Sequence, residues 1–357
     1  MPGIVGCFKR NGNMEKKYNI NFDILTILAC LMVVFFHCNM LFYDYSDTLS
    51  WKTSVIERCV VYSAIPIFFM LTGAKLMEYR KRYSTKEFAK KRLLRVGIPF
   101  VFWNVFYILF NTFMGRKFVA DSPKEFISMF LNSEFQNRYW FFWPLFAIYA
   151  TIPVLSLILE AEKHRKYLWY TVYLGFGIMW LMRPICMLLG IQNNSYITMP
   201  MAGGFLVYSI FGYLISTEEW SKFKRIILYI SAILSGIFAV VYTIMASKQA
   251  GQTVQAMVNY HYFPSGLTGA AIFVFIKHAK LEFINKSEKL IKTIRGISDC
   301  CMGVWLTHSM AILVLDWLTD IDTNGYLWRF AGAVVVFVLC IVGVKIAKKI
   351  PFVKHLV

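Results

Sequence analysis

The chain has 357 residues, 58% of them hydrophobic and 16% charged, with a mean hydropathy of +0.53 and a formal net charge of +18. So apolar a composition excludes an ordinary soluble enzyme of this length, and 32 Phe with 20 Tyr fit a polytopic membrane protein with aromatic interface belts. In a soluble chain the positive charge would point to nucleic acid; here its distribution gives another reason.

Ten apolar runs predict spanning helices near 22–43, 58–77, 96–114, 139–159, 167–190, 196–216, 226–246, 262–279, 300–318 and 326–346. The first run is too long for a cleavable signal and lacks a small-residue cleavage site, so it is expected to remain as an anchor. The outer loop near 115–138 carries a candidate surface helix, SPKEFISMFLN. The sixth and eighth runs are the weakest, and the eighth, YFPSGLTGAAIFVFI, contains Pro264 and Gly266. An interrupted helix survives in lipid only where protein or water satisfies its backbone, which makes this run a candidate cavity wall. No ten-residue alternation recurs, so a barrel is excluded.

With the N-terminus in the cytoplasm, 29 of the 38 Lys and Arg fall on inside segments: four at Lys9, Arg10, Lys16 and Lys17, nine from Lys75 to Arg95, three around Lys163, three around Lys224, six from Lys277 to Arg295 and four from Lys345 to Lys354. The outside loops hold Lys52, Arg58, Arg116, Lys117, Lys124, Arg138 and Lys248, and Arg183 and Arg329 lie in or at the edge of helices. The positive-inside rule then predicts an all-α protein of about ten transmembrane helices with both termini cytoplasmic. Its parts are a cytoplasmic segment 1–21, one membrane domain 22–346 and a cytoplasmic tail 347–357. The eight cysteines, at 7, 30, 38, 59, 186, 300, 301 and 340, show no metal spacing and read as small apolar side chains.

Ionisable groups inside the spans stand out, because their burial is costly and needs polar company. His37 lies deep in the first run, FDILTILACLMVVFFHCNMLFY. Thr26 and Asp23 precede it by 11 and 14 residues, which puts all three on one helical face over roughly 16–21 Å. The competing reading is helix packing, with Asp23 as a cap and His37 bonded to a neighbouring helix. Arg92 and Arg95, at i and i+3 beside Lys91, open the third run, and arginine pairs hold phosphates by their fork geometry. Arg183, ahead of Pro184, and a second membrane histidine, His308, are candidates for binding substrate on the outer side. His164, His261, His278 and His355 read as solvated. No nucleotide loop, GxSxG or HExxH motif occurs, and no metal is expected.

FDILTILACLMVVFFH resembles the first helix of the acyltransferase family 3 membrane proteins, which acylate cell-envelope glycans. IPIFFMLTGAKL, KKRLLRVGIPFVFW, YWFFWPLFAIYATIPVLSLI, GFLVYSIFGYLIS and ISDCCMGVWLTHSMAI resemble later family segments, in the family's order and over nearly the whole chain. The resemblance implies a stand-alone member in the bacterial plasma membrane, with His37 and Asp23 as catalytic residues. Such a member would move an acyl group, most often acetyl, from cytoplasmic acyl-CoA to a sugar hydroxyl of a surface polysaccharide or its lipid-linked precursor. Arg92, Arg95 and Lys91 would hold the donor, and Arg183 and His308 the acceptor. The family's arginine eleven residues before the histidine is Thr26 here, and Arg92 and Arg95 are the obvious substitutes. The expected partners are acyl-CoA, the glycan or lipid-linked sugar, the lipid bilayer and a second copy of the chain, with no nucleic acid. The rival function is an envelope oligosaccharide transporter using the same cavity, although no inverted repeat is visible.

Overall fold

The computed structural model describes residues 9–10, 13–14, 19–115, 120, 122–159, 164–194, 197, 201 and 203–357. Cys7, Lys16, Lys17, Arg116, Lys117, Lys163 and part of the sixth run lie outside them. Apart from a two-residue antiparallel pairing of Lys9–Arg10 with Asn13–Met14, the described chain is helical.

Among the described residues, eight helices are long and apolar enough to cross a membrane: Ile20–Cys38, Leu49–Lys81, Thr85–Phe113, Asn137–Ile158, Arg165–Leu188, Lys222–Ala250, Cys301–Leu318 and Leu327–Ala347. The chain is therefore a polytopic membrane protein. The first is α1 (Ile20–Cys38), capped by the Asn19 side chain. The second consists of α2 (Leu49–Val61) and α3 (Ala64–Leu76), and starts nine residues before the apolar run that predicted it. Lys52, Glu57 and Arg58 hide the beginning of α2 from a hydropathy reading, yet Glu57 and Arg58 are buried.

The third combines α4 (Thr85–Arg92) and α5 (Ile98–Phe113) through a π-helical turn at Leu93–Gly97. α6 (Pro123–Leu131) occupies the predicted surface-helix stretch, and α7 (Phe142–Ile158) follows a 3-10 turn at Asn137–Phe141. α8 (Arg165–Leu174) widens into a π-helical stretch at Gly175–Met182 before α9 (Arg183–Leu188). That widening falls just ahead of Pro184, whose ring cannot donate to the preceding turn, and the span continues through it.

The two weak runs form shorter helices, α10 (Leu206–Thr217) of 12 residues and α12 (Phe263–His278) of 16, on either side of α11 (Lys222–Ala250). At 1.5 Å per residue α10 covers only about 18 Å, and every residue from Val207 to Ile215 is buried. It is an interior helix, so its length is not set by the bilayer. Pro264 sits in the first turn of α12, where a missing N–H costs nothing, so the eighth run is unbroken. The chain closes through α13 (Glu282–Asn285), the surface helix α14 (Glu288–Ser298), α15 (Cys301–Leu318), a π-helical turn at Leu327–Gly332 and α16 (Ala333–Ala347).

The tightest contact is α3 against α10. A Cβ at Gly73 would collide with the Ser209 backbone, and one at Gly212 with the Met70 backbone. These glycines bring the two backbones together, as small residues do in membrane helix pairs, and Ser209 Oγ seals the contact by donating to the Phe69 carbonyl at 3.0 Å. Gly73→Ala and Gly212→Ala should each destabilise the protein by about 3 kcal/mol, the upper end for overpacking, because backbone cannot yield as a side chain does. Gly236→Ala, whose new Cβ meets nothing within 4 Å, should be silent. Thermal unfolding of the three variants in one detergent checks this.

Candidate functional site

Two cavities enter the bundle from opposite ends and share Trp305 as a wall. The first, of about 660 Å³, is lined by His37, Arg58, Arg138, Tyr62, Tyr260 and Trp305, among others. The second, of about 310 Å³, is lined by Asp23, Thr26, Lys75, Arg92, Arg95 and again Trp305. α1 thus presents Asp23 and Thr26 to one cavity and His37 to the other. Trp305 packs on Phe141 (ring centroids 4.5 Å) and edge-on to Phe68 (5.4 Å), so the partition between the cavities is aromatic. Its Nε1 is buried without a hydrogen-bond partner among the described residues.

In the first cavity Arg138 donates from Nε to His37 Nδ1 at 3.0 Å. A guanidinium has no lone pair to offer, so Nδ1 accepts and the neutral ring carries its proton on Nε2. His308 lies beside His37, with ring centroids 5.1 Å apart. Its Nδ1 faces the carbonyls of Trp305 (2.7 Å) and Val304 (3.1 Å), which makes Nδ1 the protonated nitrogen. His308 Nε2 is left as a buried lone pair with no hydrogen-bond partner among the described residues. Arg138 is placed by its neighbour: Tyr139 donates from its hydroxyl to the Leu306 carbonyl at 2.9 Å, and Tyr107 of α5 reaches the same oxygen at 3.1 Å. One phenol therefore ties the Arg138 turn, and the other ties α5, to the stretch of α15 that carries Trp305 and His308.

Arg58 is 1% exposed and sits over the rings of Phe36, Phe42 and Tyr43 at 4.0–4.8 Å from their centroids. Such cation–π contacts compensate in part for its removal from water, and Nη2 donates to the Asn39 carbonyl at 2.6 Å. Tyr62 stacks on Tyr260 at 4.1 Å beside it. Behind this wall Arg329, fully buried, faces Glu57 at 3.7 Å and donates to Thr53 Oγ1 at 3.1 Å.

At the other end, Ser298 donates to Asp23 Oδ1 at 2.7 Å, and Oδ2 is buried without a partner. Lys75 of α3 donates to Thr26 Oγ1 at 3.0 Å, so an amine from the neighbouring helix reaches the position where the resembling family carries an arginine. Arg92 lies 5.7 Å from the ring centroids of Phe88 and Tyr149, and Arg95 is set on the π-helical turn that follows.

The structure thus packs His308 against His37, which lines the first cavity, and brings Asp23, Arg92 and Arg95 together in the other. It does not bring Lys91 or Arg183 to either. Lys91 pairs with Glu87 at 2.7 Å and caps the Tyr83 ring at 4.0 Å, on the outside of α4. Arg183 stands beside His261, which burial and the Arg183 charge push down to about 4, so that it too is not a solvated histidine. The sequence reading passed over Lys75, Arg58, Arg138 and Trp305. For the two arginines the available signal was their position: they are basic residues on the side of the membrane that the positive-inside rule depletes.

The family model described as an acyltransferase domain matches residues 19–345, and no curated protein or solved structure matches. The chain belongs to the acyltransferase 3 family. It is an acyltransferase, and both cavities lie wholly or almost wholly within the matched residues. Among the described residues no cluster of His, Cys, Asp or Glu could hold a metal ion.

The buried Glu57–Arg329 pair yields a stability prediction. Removing one member of a buried pair leaves an uncompensated charge, at a cost of about 3–5 kcal/mol. Arg329→Met should therefore lower the acyltransferase's thermal stability strongly, and adding Glu57→Gln should restore most of the loss in the same melting assay.

Proposed function

We propose that this acyltransferase moves an acetyl group from acyl-CoA, bound at the end of the bundle rich in Lys and Arg, to a sugar hydroxyl of a surface polysaccharide or its lipid-linked precursor bound in the His37 cavity. The observation that carries the reading is the shared Trp305 wall, which brings a basic, anion-compatible cavity within one aromatic layer of a cavity lined by His37. The excess of Lys and Arg supports placing the basic end in the cytoplasm, where acyl-CoA is found, and the His37 end on the outer side of the membrane.

In this account the pantetheine arm carries the thioester up the Asp23–Arg92 cavity to the Trp305 partition. Lys75, held at Thr26, takes the part of the family's missing arginine, with Arg92 and Arg95 as further cations for the donor. The sugar hydroxyl enters the His37 cavity and displaces Arg138 from Nδ1. His37 takes the hydroxyl proton there as the oxygen attacks the thioester carbonyl. Arg138 and the unpartnered Trp305 N–H are the donors available to the oxyanion. Collapse breaks the C–S bond, and the proton held by His37 passes to the departing thiolate, giving the ester and free CoA. His308 Nε2 offers a second lone pair to the ring proton of His37 during the transfer. Tyr62, Tyr260, Trp140 and Arg58 give the acceptor cavity the aromatic and hydrogen-bonding surface that suits a sugar.

Mass spectrometry of envelope glycans before and after mild base, from cells expressing wild type or His37→Ala at matched membrane levels, tests the reading. A base-labile acetyl mass should be present with wild type and fall by about 10²–10⁴ in the variant, the usual worth of a general base. Identical glycan masses in both strains, with glycan export altered instead, would replace the enzyme reading with the transporter. A second outcome concerns the donor: Lys75→Ala should raise the KM for acetyl-CoA, and Thr26→Arg added to it should recover part of the loss.

A further inference from the structure

Residues 348–357 follow the last stretch matched by the family, yet they are fixed against the bundle. Trp103 of α5 donates from Nε1 to the Leu356 carbonyl at 2.7 Å, Val357 packs against the hydrophobic core, and Lys348 donates to the Asp299 carbonyl. A 3-10 turn at Val353–His355 points this segment back toward the third span. The result is a third cavity, of about 370 Å³, lined by Arg95, Asp299, Lys348, Lys354 and His355. Arg95, Asp299 and Met302 also line the Asp23–Arg92 cavity, so the two lie side by side against the same three residues. Arg95, Lys348, Lys354 and the His355 imidazole, drawn from three separate elements, face this space, with Asp299 as the one acidic side chain in the lining. Neither Lys354 nor His355 has a carboxylate partner among the described residues. Such a cluster is matched by a polyanion: Arg supplies forked N–H groups and Lys a compact charge, both suited to phosphate oxygens.

We propose that residues 348–357 form a nucleotide-phosphate subsite that completes the donor site of this chain, with Lys348, Lys354, His355 and Arg95 holding the phosphates of acyl-CoA. The inference rests on the acyl-CoA reading above and adds the wall that the family-matched residues alone lack. Division of labour follows from geometry. The charged nucleotide stays in the basic outer chamber, which is open to water, and only the slim, neutral pantetheine arm enters the narrower chamber toward Trp305. Keeping the phosphates at the rim avoids the desolvation of several charges inside the membrane.

The test compares donors that differ only in the nucleotide, using the full chain in lipid nanodiscs. Lys354→Gln with His355→Gln changes two exposed side chains and leaves the Trp103–Leu356 anchor intact. Loss of two charge-assisted hydrogen bonds should raise the KM for acetyl-CoA roughly tenfold, while the KM for acetyl-pantetheine, which has no nucleotide, stays at the wild-type value. Adenosine 3′,5′-bisphosphate should inhibit wild type competitively and the double variant more weakly, which reads the subsite without relying on turnover of the variant. The exposed Lys86→Gln should behave as wild type with both donors. Equal KM shifts for both donors, or none, would overturn the tail assignment while leaving acyl-CoA as donor. Absence of any acetyl-CoA turnover by wild type would instead overturn the donor reading, and this inference with it.

Discussion

The hydrogen bond from Arg138 Nε to His37 Nδ1 organises the centre of this molecule. An arginine cannot be neutralised at any relevant pH, so its burial next to the histidine has to be supported from several sides. Tyr139 fixes the Arg138 turn, and Tyr107 fixes α5, by binding one carbonyl of α15. That carbonyl belongs to Leu306, between the Trp that divides the cavities and the His that packs on His37. Position, tautomer and access of the histidine therefore depend on one network spanning α1, α5, the Arg138 turn and α15.

The architecture around it follows from a constraint of the bilayer: polar groups at depth must be paired within the protein or open to a cavity. The fold meets it in three ways. Arg58 rests on aromatic faces, Arg329 faces Glu57, and the Asp23, Lys75 and Arg92 groups line a chamber. α3 and α10 cross so closely at Gly73 and Gly212 that the interior is sealed there by backbone contact. The chambers are thus confined to the region around α1 and α15, with a thin aromatic layer between them.

Much of this was legible in the chain. Long charge-free runs announced the spans, the excess of Lys and Arg on alternate segments gave an orientation, and the spacing of Asp23, Thr26 and His37 placed one polar face along α1. Hydropathy failed where polar residues are buried with partners. Glu57 and Arg58 concealed the start of α2, and Arg138 read as a loop charge because its partner, His37, is 101 residues away. Lys75 likewise looked like one more inside charge; only the packing of α3 on α1 shows that it reaches Thr26. Pro264 suggested a broken helix, but a proline in the first turn breaks nothing. Lys91 and Arg95 are four residues apart and differ in fate: Lys91 pairs with Glu87 and caps Tyr83, whereas Arg95 lines the cavities.

The central claim is that the donor and the acceptor meet from opposite faces of the membrane across the Trp305 partition. The most direct measurement is transfer by protein reconstituted in one orientation, with radiolabelled acetyl-CoA sealed inside vesicles and a sugar acceptor added only outside. The account predicts label on the external sugar, with free CoA accumulating inside. Labelling only when donor and acceptor share a compartment would contradict it.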